Sequence, residues 1–477
     1  MSEIARKFIS EADTLRRGAE LMNSGVGGII LVLDEDGCMI GTLTDGDLRR
    51  AVLAGADLDD PIGPHANRKF TFATAGESRQ QMLSKLNDVI RHLPVLKDGR
   101  PVDLLSWKDL WWLPVAEPNL AGNELKYVAD CVNTSWISSQ GSYVVQFEKM
   151  FADFVAVEHA LTTSSGTTAL QLAMAALGIG PGDEVIVPAV TFGATANAAI
   201  QVNARPVFVD VDAVGCLCPE AFADAVTERT KAVVPVHLFG HACDMDRIGS
   251  IAKERGILVI EDCAEALGAH WNGRPVGSFG DAAAFSFFAN KIITTGEGGM
   301  VVCPDPELAD RMRLLRDHGM QRDRRYWHLE PGFNFRMTNI QAAIGVAQME
   351  QVDTFLAHRR ALASVYENAL RDVPGVELPQ GHAGSESVPW LFLILVDAST
   401  RDRLITALKA VGVDTRAVFP SLHVQPAFGS EVPGRLPTAE LFSDRGLCLP
   451  LSNRMTVAEV ERTVSSLRDE LKKMSET

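Results

Sequence analysis

The chain has 477 residues, of which 46% are hydrophobic and 22% are charged, and its formal net charge is −16. This composition is typical of folded globular proteins and excludes the disordered and fibrous classes. The net negative charge, without any cluster of lysine and arginine, excludes a partner that presents rows of phosphates, so no nucleic acid is expected.

The length indicates more than one domain, since about 150 residues per domain is a common size. The first residues, "MSEIARKFIS", contain no apolar segment typical of a signal peptide. No run of about 18 apolar residues could cross a membrane. We therefore expect a cytoplasmic protein with no membrane partner. The eight cysteines show no disulfide framework and no zinc-ligand spacing, so we expect reduced thiols and no metal.

The first part of the chain, residues 1–112, contains an internal repeat. Residues 27–55 read as an apolar strand, an acidic turn, a second strand and a helix, and the segment that includes "DLLSWKD" repeats this order about sixty residues later. The segment "GTLTDGD" in the first copy aligns with "DLLSWKD" in the second. The corresponding positions are Gly41 and Asp103, Thr44 and Ser106, and Asp47 and Asp109.

These residues resemble the paired cystathionine-beta-synthase (CBS) module, whose signature is G-x-x-[ST]-x-x-D. The resemblance implies that a hydroxyl and a carboxylate hold the ribose of an adenine nucleotide. Asp103 stands where the signature has glycine, which would crowd the backbone in the second copy. The alternative is a docking or dimerisation module without a ligand. The candidate nucleotide residues are Thr44, Asp47, Ser106 and Asp109.

After a linker marked by Pro114 and Pro118, short apolar runs alternate with helical stretches over residues 113–372. Such a pattern predicts an α/β fold with a largely parallel sheet covered by helices on both faces. Residues 373–477 predict a smaller α/β lobe. The apolar runs are 184–189, 206–211, 232–237, 257–262, 282–287 and 299–303.

Several polar residues stand where these apolar runs end, and parallel sheets bind ligands beyond the carboxyl ends of their strands. The backbone N–H groups of Gly166 and Thr167, at a predicted helix N-terminus, suit a phosphate. Asp262 could keep a pyridine nitrogen protonated. Lys291, desolvated in a pocket, could form a Schiff base with an aldehyde. Together these properties describe a pyridoxal phosphate site, although each feature alone is also common as a helix cap, a turn residue or a surface lysine.

Seven segments, among them "SSGTTALQLAMAALG", "IEDCAEALGAHWNG", "SFFANKIITTGEGGM" and "GFNFRMTNIQAAIG", resemble the DegT/StrS family of nucleotide-sugar aminotransferases across roughly residues 114–470. The resemblance implies the fold-type I aminotransferase architecture with a mostly parallel seven-stranded sheet. It also implies pyridoxal phosphate and a homodimer with shared active sites.

The resemblance also assigns roles to single residues. Lys291 is the Schiff-base lysine, and Asp262 is the partner of the pyridinium nitrogen. Glu265 contacts the ring oxygen of the cofactor, and Phe192 stacks on its ring. Asn334 reaches the phosphate of the cofactor in the other subunit. The phosphate cradle consists of Gly166, Thr167 and Ser286.

Some relatives with histidine at the lysine position catalyse a dehydration, so Lys291 favours transamination with L-glutamate as the amino donor. Within the family, "EDCAEALGA" and "SFFANK" most resemble the perosamine synthases, which convert GDP-4-keto-6-deoxymannose to GDP-perosamine for surface polysaccharide such as O-antigen. UDP-linked 4-keto sugars, a keto-octulosonate and a free keto sugar or cyclitol remain alternative substrates. A non-catalytic regulatory protein that works through its CBS module is a more remote alternative.

Four further residues are candidates for contact with the sugar substrate. They stand in the loops "RDHGM", "YWHLEPGFNF", "DTRAVF" and "SLHVQPAF". Buried structural histidines and a surface arginine are the alternative interpretation. The four are His318, His328, Arg416 and His423.

Overall fold

The chain folds into two compact units, Met1–Leu113 and Pro114–Thr477. The computed structural model describes residues 3–23, 28–77, 81–82, 85–87, 90–106, 113–321, 323–428 and 435–476. The first predicted domain boundary, after residue 112, lies one residue before the division between the units. The second, after residue 372, falls inside the second unit and stays a prediction. None of the helices in these described residues has the length and apolar character that a membrane span requires.

The first unit contains two three-stranded sheets with the same construction. In each sheet the first two strands are parallel and the last two are antiparallel. Both antiparallel pairs shift register at the corresponding place, at Val32/Leu33 and at Val95/Leu96. The two copies therefore share one architecture, as the sequence repeat predicts. The elements are β1 (Phe8–Ser10), α1 (Leu15–Leu21), β2 (Ile29–Leu33), β3 (Met39–Thr44), α2 (Asp45–Leu53), β4 (Ala73–Thr74), β5 (His92–Lys97) and β6 (Arg100–Ser106).

The glycine of the CBS signature has a steric reason in the first copy. A Cβ atom on Gly41 would lie 3.0 Å from the Cβ of Ala66 and from the carbonyl oxygen of Asn67, so glycine relieves a tight contact at this position. At the corresponding position of the second copy, the side chain of Asp103 is exposed and accepts a hydrogen bond from the N–H of Leu104 at 2.8 Å. The departure from the signature is therefore accommodated at the surface.

The second unit is built around a seven-stranded sheet of order β7-β15-β14-β11-β10-β8-β9. Every neighbouring pair is parallel except the two that include β15. Its strands are β7 (His159–Thr163), β8 (Glu184–Pro188), β9 (Arg205–Val209), β10 (Thr230–Val233), β11 (Leu258–Asp262), β14 (Ala282–Ser286) and β15 (Gly299–Cys303). Two short strands, β12 (His270–Trp271) and β13 (Arg274–Pro275), pair outside this sheet.

The helices of this part connect the strands and cover the sheet. Two buried clusters form the core: one includes Leu170 and Val187, the other Phe151 and Phe285. The helices are α3 (Glu124–Asn133), α4 (Ser142–Val155), α5 (Gly166–Ala176), α6 (Ala194–Gln201), α7 (Pro219–Ala225), α8 (Met245–Arg255), α9 (Pro306–Arg316), α10 (Asn339–Met349) and α11 (Val352–Leu370).

The mostly parallel seven-stranded sheet confirms the predicted fold class. The six apolar runs named from the sequence correspond to β8, β9, β10, β11, β14 and β15. The sequence analysis missed β7, whose segment "HALTT" is short and ends in two threonines. All but the first of its five residues are buried, so tertiary packing rather than composition decides this strand.

The C-terminal residues form a smaller lobe on the same core. Trp390, Val418 and Phe442 belong to the buried cluster that also contains Val187 of β8. The lobe is thus packed directly on the large sheet. Its elements are β16 (Ser385–Glu386), β17 (Phe392–Leu395), α12 (Ala398–Ala410), β18 (Arg416–Ala417), α13 (Pro437–Arg445), β19 (Gly446–Leu449) and α14 (Val457–Ser475), with β17, β19 and β18 in one antiparallel sheet.

Candidate active site

A cavity of about 410 Å³ lies at the carboxyl ends of β11 and β14 and at the N-terminus of α5. It contains most of the residues that the sequence assigned to the cofactor and one of the four substrate candidates. Trp390 and Phe419, which the sequence analysis did not select, also line it. The predicted residues that line it are Gly166, Thr167, Phe192, Asp262, Glu265, Ser286, Lys291 and Arg416.

The N-terminus of α5 is formed by a capping box. Ser165 accepts a hydrogen bond from the N–H of Thr168 at 3.1 Å, and Thr168 Oγ1 accepts one from the N–H of Ser165 at 3.0 Å. This box uses neither the N–H of Gly166 nor that of Thr167. Because a helix N-terminus carries partial positive charge, these two groups suit an anion.

Gly166 is required because α5 begins against β14. A Cβ atom at this position would lie 2.9 Å from the Cβ of Ser286. Gly299 of β15 is equally constrained, since its Cβ would lie 2.4 Å from the carbonyl oxygen of Ser165. These two glycines allow α5, β14 and β15 to approach one another closely at the end of the cavity that suits an anion.

Asp262 ends β11 with a buried side chain that is 5% exposed. Its Oδ2 accepts a hydrogen bond from Thr195 Oγ1 at 2.8 Å, and its Oδ1 accepts one from the N–H of Ala264 at 3.1 Å. Burial raises the pKa of Asp262, while these hydrogen bonds and the nearby Lys291 act in the opposite direction. Thr195 stands in the segment "TFGATANA", and its first-turn position in α6 became meaningful only once the fold placed it beside Asp262.

Lys291 follows β14 in the "FANK" turn and points its amine into the same cavity. Its Nζ lies 3.6 Å from Glu265 Oε1 and 3.6 Å from the centroid of the Trp390 ring. Burial lowers the pKa of Lys291, and the Glu265 carboxylate opposes that shift. Burial raises the pKa of Glu265, whose Oε2 also accepts the N–H of Phe239 at 3.1 Å. Burial thus favours the neutral amine of Lys291 and the neutral carboxyl group of Glu265.

Phe192 forms an exposed aromatic wall of the cavity. Its side chain is 63% exposed, and its ring lies 6.0 Å from that of Phe419. Phe419 in turn stacks on Phe239 with a centroid distance of 5.8 Å. An exposed aromatic face beside an anion site is suited to cover a planar ring.

Three substrate candidates lie outside the cavity, and their role stays a prediction. His318 and His328 are exposed, and Nδ1 of His328 donates to the carbonyl oxygen of His318 at 2.8 Å. His423 is 9% exposed, and its Nε2 lies 4.0 Å from Glu440 Oε1. Its Nδ1 has no hydrogen-bond partner in the described part of the chain.

Asn334 also lies outside the cavity of its own chain. It is exposed and forms an isolated bridge with Asp317. The sequence assigned this residue to the cofactor of a second subunit, and its placement here is compatible with that assignment. The assignment stays a prediction.

The candidate nucleotide residues of the first unit are partly occupied by local contacts. Thr44 caps α2, and both its N–H and its Oγ1 donate to Asp47 Oδ2, at 2.8 and 2.6 Å. Asp47 Oδ1 pairs with Arg50 at 2.6 Å. Ser106 ends β6 opposite His92, and Asp109 lies outside the described residues.

A buried cluster of His237, Glu261 and Cys263 has metal-ligand chemistry among the described residues. Glu261 and Asp262 are neighbours in β11, so their side chains point to opposite faces of the sheet. The Glu261 carboxylate accepts the backbone N–H groups of residues 277, 279 and 280, and it lies 3.1 Å from His237 Nε2. These hydrogen bonds explain the cluster as a structural network separate from the cavity.

Two regions of the chain match known protein families. Residues 118–468 match the model of the DegT/DnrJ/EryC1/StrS aminotransferase family, and residues 2–54 match the CBS domain. The chain is 47% identical to the GDP-perosamine synthase of Caulobacter vibrioides over 75% of this chain and 98% of that protein. It is 44% identical to the GDP-perosamine synthase of Escherichia coli O157:H7 over 72% and 96%. The structure of the aminotransferase TlmJ from Streptoalloteichus hindustanus superposes with a TM-score of 0.73 at 35% identity, covering 76% of this chain and all of that one.

We predict that Gly166→Ala weakens the binding of pyridoxal phosphate, because the new methyl group would press on Ser286 where α5 meets β14. Over-packing of this kind costs about 1–3 kcal/mol, which corresponds to a roughly 5- to 150-fold loss of affinity. Titration of the cofactor-free chain, followed by absorbance, measures the effect. Gly249→Ala is the matched control, since nothing lies within 4 Å of its Cβ position in α8. Equal affinities in the two variants would contradict the prediction.

Proposed function

The chain belongs to the DegT/DnrJ/EryC1/StrS aminotransferase family, whose members use pyridoxal phosphate, and we propose that it moves an amino group from L-glutamate to GDP-4-keto-6-deoxymannose, giving GDP-perosamine. The observation that carries the amino transfer is the burial of Lys291 in one cavity with Asp262 and Glu265. The choice of sugar and base rests on the GDP-perosamine synthases among its relatives.

The residues of the cavity fit this cofactor. The approach of α5 to Ser286 leaves space only for a glycine at position 166, and the adjacent N–H groups suit a phosphate. The buried carboxylate of Asp262 accepts two hydrogen bonds, as a partner of a pyridinium nitrogen requires. When bound, pyridoxal phosphate supplies an aldehyde that takes up the amino nitrogen and a ring that withdraws electrons from the substrate carbon.

Lys291 is the group that moves protons in this proposal. A neutral Nζ accepts the proton from Cα of the amino donor, and the resulting ammonium returns a proton later in the reaction. Burial in the cavity lowers the pKa of Lys291 and so raises the neutral fraction. Glu265, 3.6 Å from Nζ, stabilises the ammonium whenever it forms.

Asp262 and Phe192 orient the cofactor in this proposal. The Thr195 hydroxyl and the Ala264 N–H hold the Asp262 carboxylate at the end of β11, and their hydrogen bonds favour its charged form. The exposed ring of Phe192, which also lines the cavity, is suited to stack on the cofactor ring. Arg416, which also lines the cavity, is suited to bind the acidic amino donor or the diphosphate of the sugar nucleotide.

We predict that Lys291→Ala abolishes transamination. The wild-type protein, loaded with cofactor, should lose its visible absorption band on addition of L-glutamate, and GDP-4-keto-6-deoxymannose should restore it with formation of the 4-amino product, detected by mass spectrometry. Loss of a general base typically costs about 10²–10⁴-fold in rate. Lys253→Ala, an exposed lysine on α8, is the control.

Rate assays with different keto sugars as the acceptor distinguish the alternative substrates. Preference for a UDP-linked 4-keto sugar would overturn the choice of base. If GDP and UDP fail to compete with the acceptor, the substrate is a free keto sugar. If added cofactor does not bind to the wild-type chain, the enzyme proposal itself fails and the regulatory alternative takes its place.

We also propose that the active enzyme is a homodimer in which Asn334 completes the neighbouring site. Asn334 is exposed and outside the cavity of its own chain. The α3–α4 region exposes several large apolar side chains, as expected where a second subunit packs. These are Leu125, Val132, Trp136, Ile137 and Val145.

We predict that Lys291→Ala and Asn334→Ala chains complement each other. In a mixed dimer one site carries both defects and the other carries neither, because the two residues then belong to different chains at each site. Random mixing makes half of the dimers mixed, so activity should recover to about a quarter of wild type. Unfolding and refolding the two variants together, followed by a rate assay, measures this. If the mixture is as inactive as the separate variants, Asn334 acts in its own chain.

For the first unit we propose a nucleotide-sensing role, supported by the CBS match to residues 2–54. The ribose of an adenine nucleotide would bind to the Asp47 carboxylate, which accepts a hydrogen bond from Thr44 and forms an ion pair with Arg50. Binding would therefore have to displace Arg50, whose side chain is 72% exposed, from the Asp47 carboxylate.

We predict that an adenine nucleotide raises the thermal midpoint of the wild-type chain, since a ligand at 100 times its Kd stabilises the folded state by about 2.7 kcal/mol. Asp47→Asn keeps an acceptor for the N-terminus of α2 but removes the charge, so it should reduce the shift. The control is Asp36→Asn, an exposed residue in the turn between β2 and β3. The absence of a shift across ATP, ADP, AMP and S-adenosylmethionine would favour the docking role.

A further inference from the structure

The carbonyl groups of the two residues next to Lys291, Asn290 and Ile292, are held by side chains from the C-terminal part of the chain. The Trp390 Nε1–H donates to the carbonyl oxygen of Asn290 at 2.7 Å. The Asn453 Nδ2–H donates to the carbonyl oxygen of Ile292 at 2.6 Å. Trp390 and Asn453 are 5% and 8% exposed, so these hydrogen bonds form away from water. The backbone before and after the lysine is thereby fixed from two directions.

Arg359 of α11 donates hydrogen bonds to both of these residues. The Arg359 Nε–H donates to Asn453 Oδ1 at 2.5 Å, which orients the amide so that its Nδ2 faces Ile292. One terminal nitrogen of Arg359 donates to the carbonyl oxygen of Trp390 at 2.9 Å. The same nitrogen reaches the carbonyl oxygens of Pro389 and Leu451 at 3.2 and 3.3 Å. Arg359 therefore connects the two supports of the Lys291 segment.

Arg359 is an unusual residue for a purely structural position. It is 1% exposed, and all of its hydrogen-bond acceptors in the described part of the chain are neutral. Burial lowers the pKa of Arg359 to about 9. A buried charge without a carboxylate partner is costly, so its retention calls for a gain elsewhere. Two of its partners, Asn453 and Trp390, are the residues that bind the carbonyl groups on either side of Lys291.

Trp390 also contacts the amine itself. Nζ of Lys291 lies 3.6 Å from the centroid of the Trp390 ring, within the range of a strong cation–π contact. The ring is fixed on its other side by Phe239, which stacks on it at a centroid distance of 6.1 Å and an interplanar angle of 8°. The backbone N–H of Trp390 donates to the carbonyl oxygen of Phe239 at 3.3 Å. The ring face thus offers a defined place for a free ammonium.

We propose that Arg359, Asn453 and Trp390 are positioning residues for Lys291: Trp390 and Asn453 hold the carbonyl groups of residues 290 and 292, Arg359 orients these two supports, and the Trp390 ring binds the Lys291 ammonium whenever the released lysine is protonated. The inference rests on the proposed role of Lys291. A lysine that is released and recaptured in each half-reaction must return to the same place, since small displacements of a reacting group cost rate steeply.

The ring contact is tested on the cofactor-free full-length chain. Competitive labelling with acetic anhydride, followed by mass spectrometry of the Lys291 peptide between about pH 6 and about pH 11, gives the titration midpoint of Nζ. Trp390→Leu should lower that midpoint by about 0.5–1 pH unit, because the ring favours the charged amine. Trp390→Phe should lower it less. The charged groups that face Nζ or share its cavity, namely Asp262, Glu265, Glu297 and Arg416, remain unchanged in both variants.

Trp271→Phe is the matched control. Trp271 is buried to a similar degree and donates its Nε1–H to Asp246 at 2.9 Å, outside the cavity. It should leave the Lys291 midpoint unchanged. If Trp390→Leu behaves like this control, the proposed ring contact is wrong. This result does not depend on the cofactor or the sugar, so it is distinguishable from a failure of the proposed function.

The carbonyl contacts are tested in the holoenzyme with Asn453→Asp. Aspartate keeps an acceptor for Arg359 and gives it a carboxylate partner, which offsets the repulsion between its second oxygen and the Ile292 carbonyl oxygen, so the thermal midpoint should change little. It removes the donor to Ile292, so kcat should fall roughly 2- to 10-fold, as expected for loss of one hydrogen bond, while KM for the acceptor sugar stays the same. An unchanged kcat, or a KM that rises by the same factor, would overturn this part of the inference.

Discussion

The close approach of the Lys291 amine to the Glu265 carboxylate, 3.6 Å apart in a buried cavity, is the interaction on which the site depends. Burial favours the neutral forms of both groups, while their mutual attraction favours the charged forms. An amine in this balance can take up and release a proton at modest cost. The surrounding structure serves to keep this pair at the carboxyl edge of the sheet, next to Asp262 and the N-terminus of α5.

The edge of a parallel sheet supplies this arrangement because it collects the ends of several strands at one place. Asp262 and Ser286 end neighbouring strands, and Gly166 begins the helix that packs against Ser286. The smaller lobe completes the cavity with Trp390 and Phe419, and its core is continuous with that of the large sheet. The lobe is therefore part of the catalytic framework and not a separate attachment.

The first unit follows a different principle, in which one small sheet is built twice from similar segments. The glycine of its signature relieves a tight contact in the first copy, where Gly41 lies against Ala66 and Asn67. In the second copy Asp103 is exposed. The two copies therefore differ at the glycine position of the signature.

The sequence by itself determined the fold class of the second unit and predicted several of the residues that line its cavity, because continuous apolar runs and the polar residues that end them are local patterns. It did not reveal β7, whose polar composition is overridden by burial, or the roles of Trp390, Asn453 and Arg359. Those residues stand 68 to 162 positions from Lys291, and no local pattern links them to it. Only tertiary packing brought them together, since hydrogen bonds to the flanking carbonyl groups exist only once the smaller lobe has docked on the sheet.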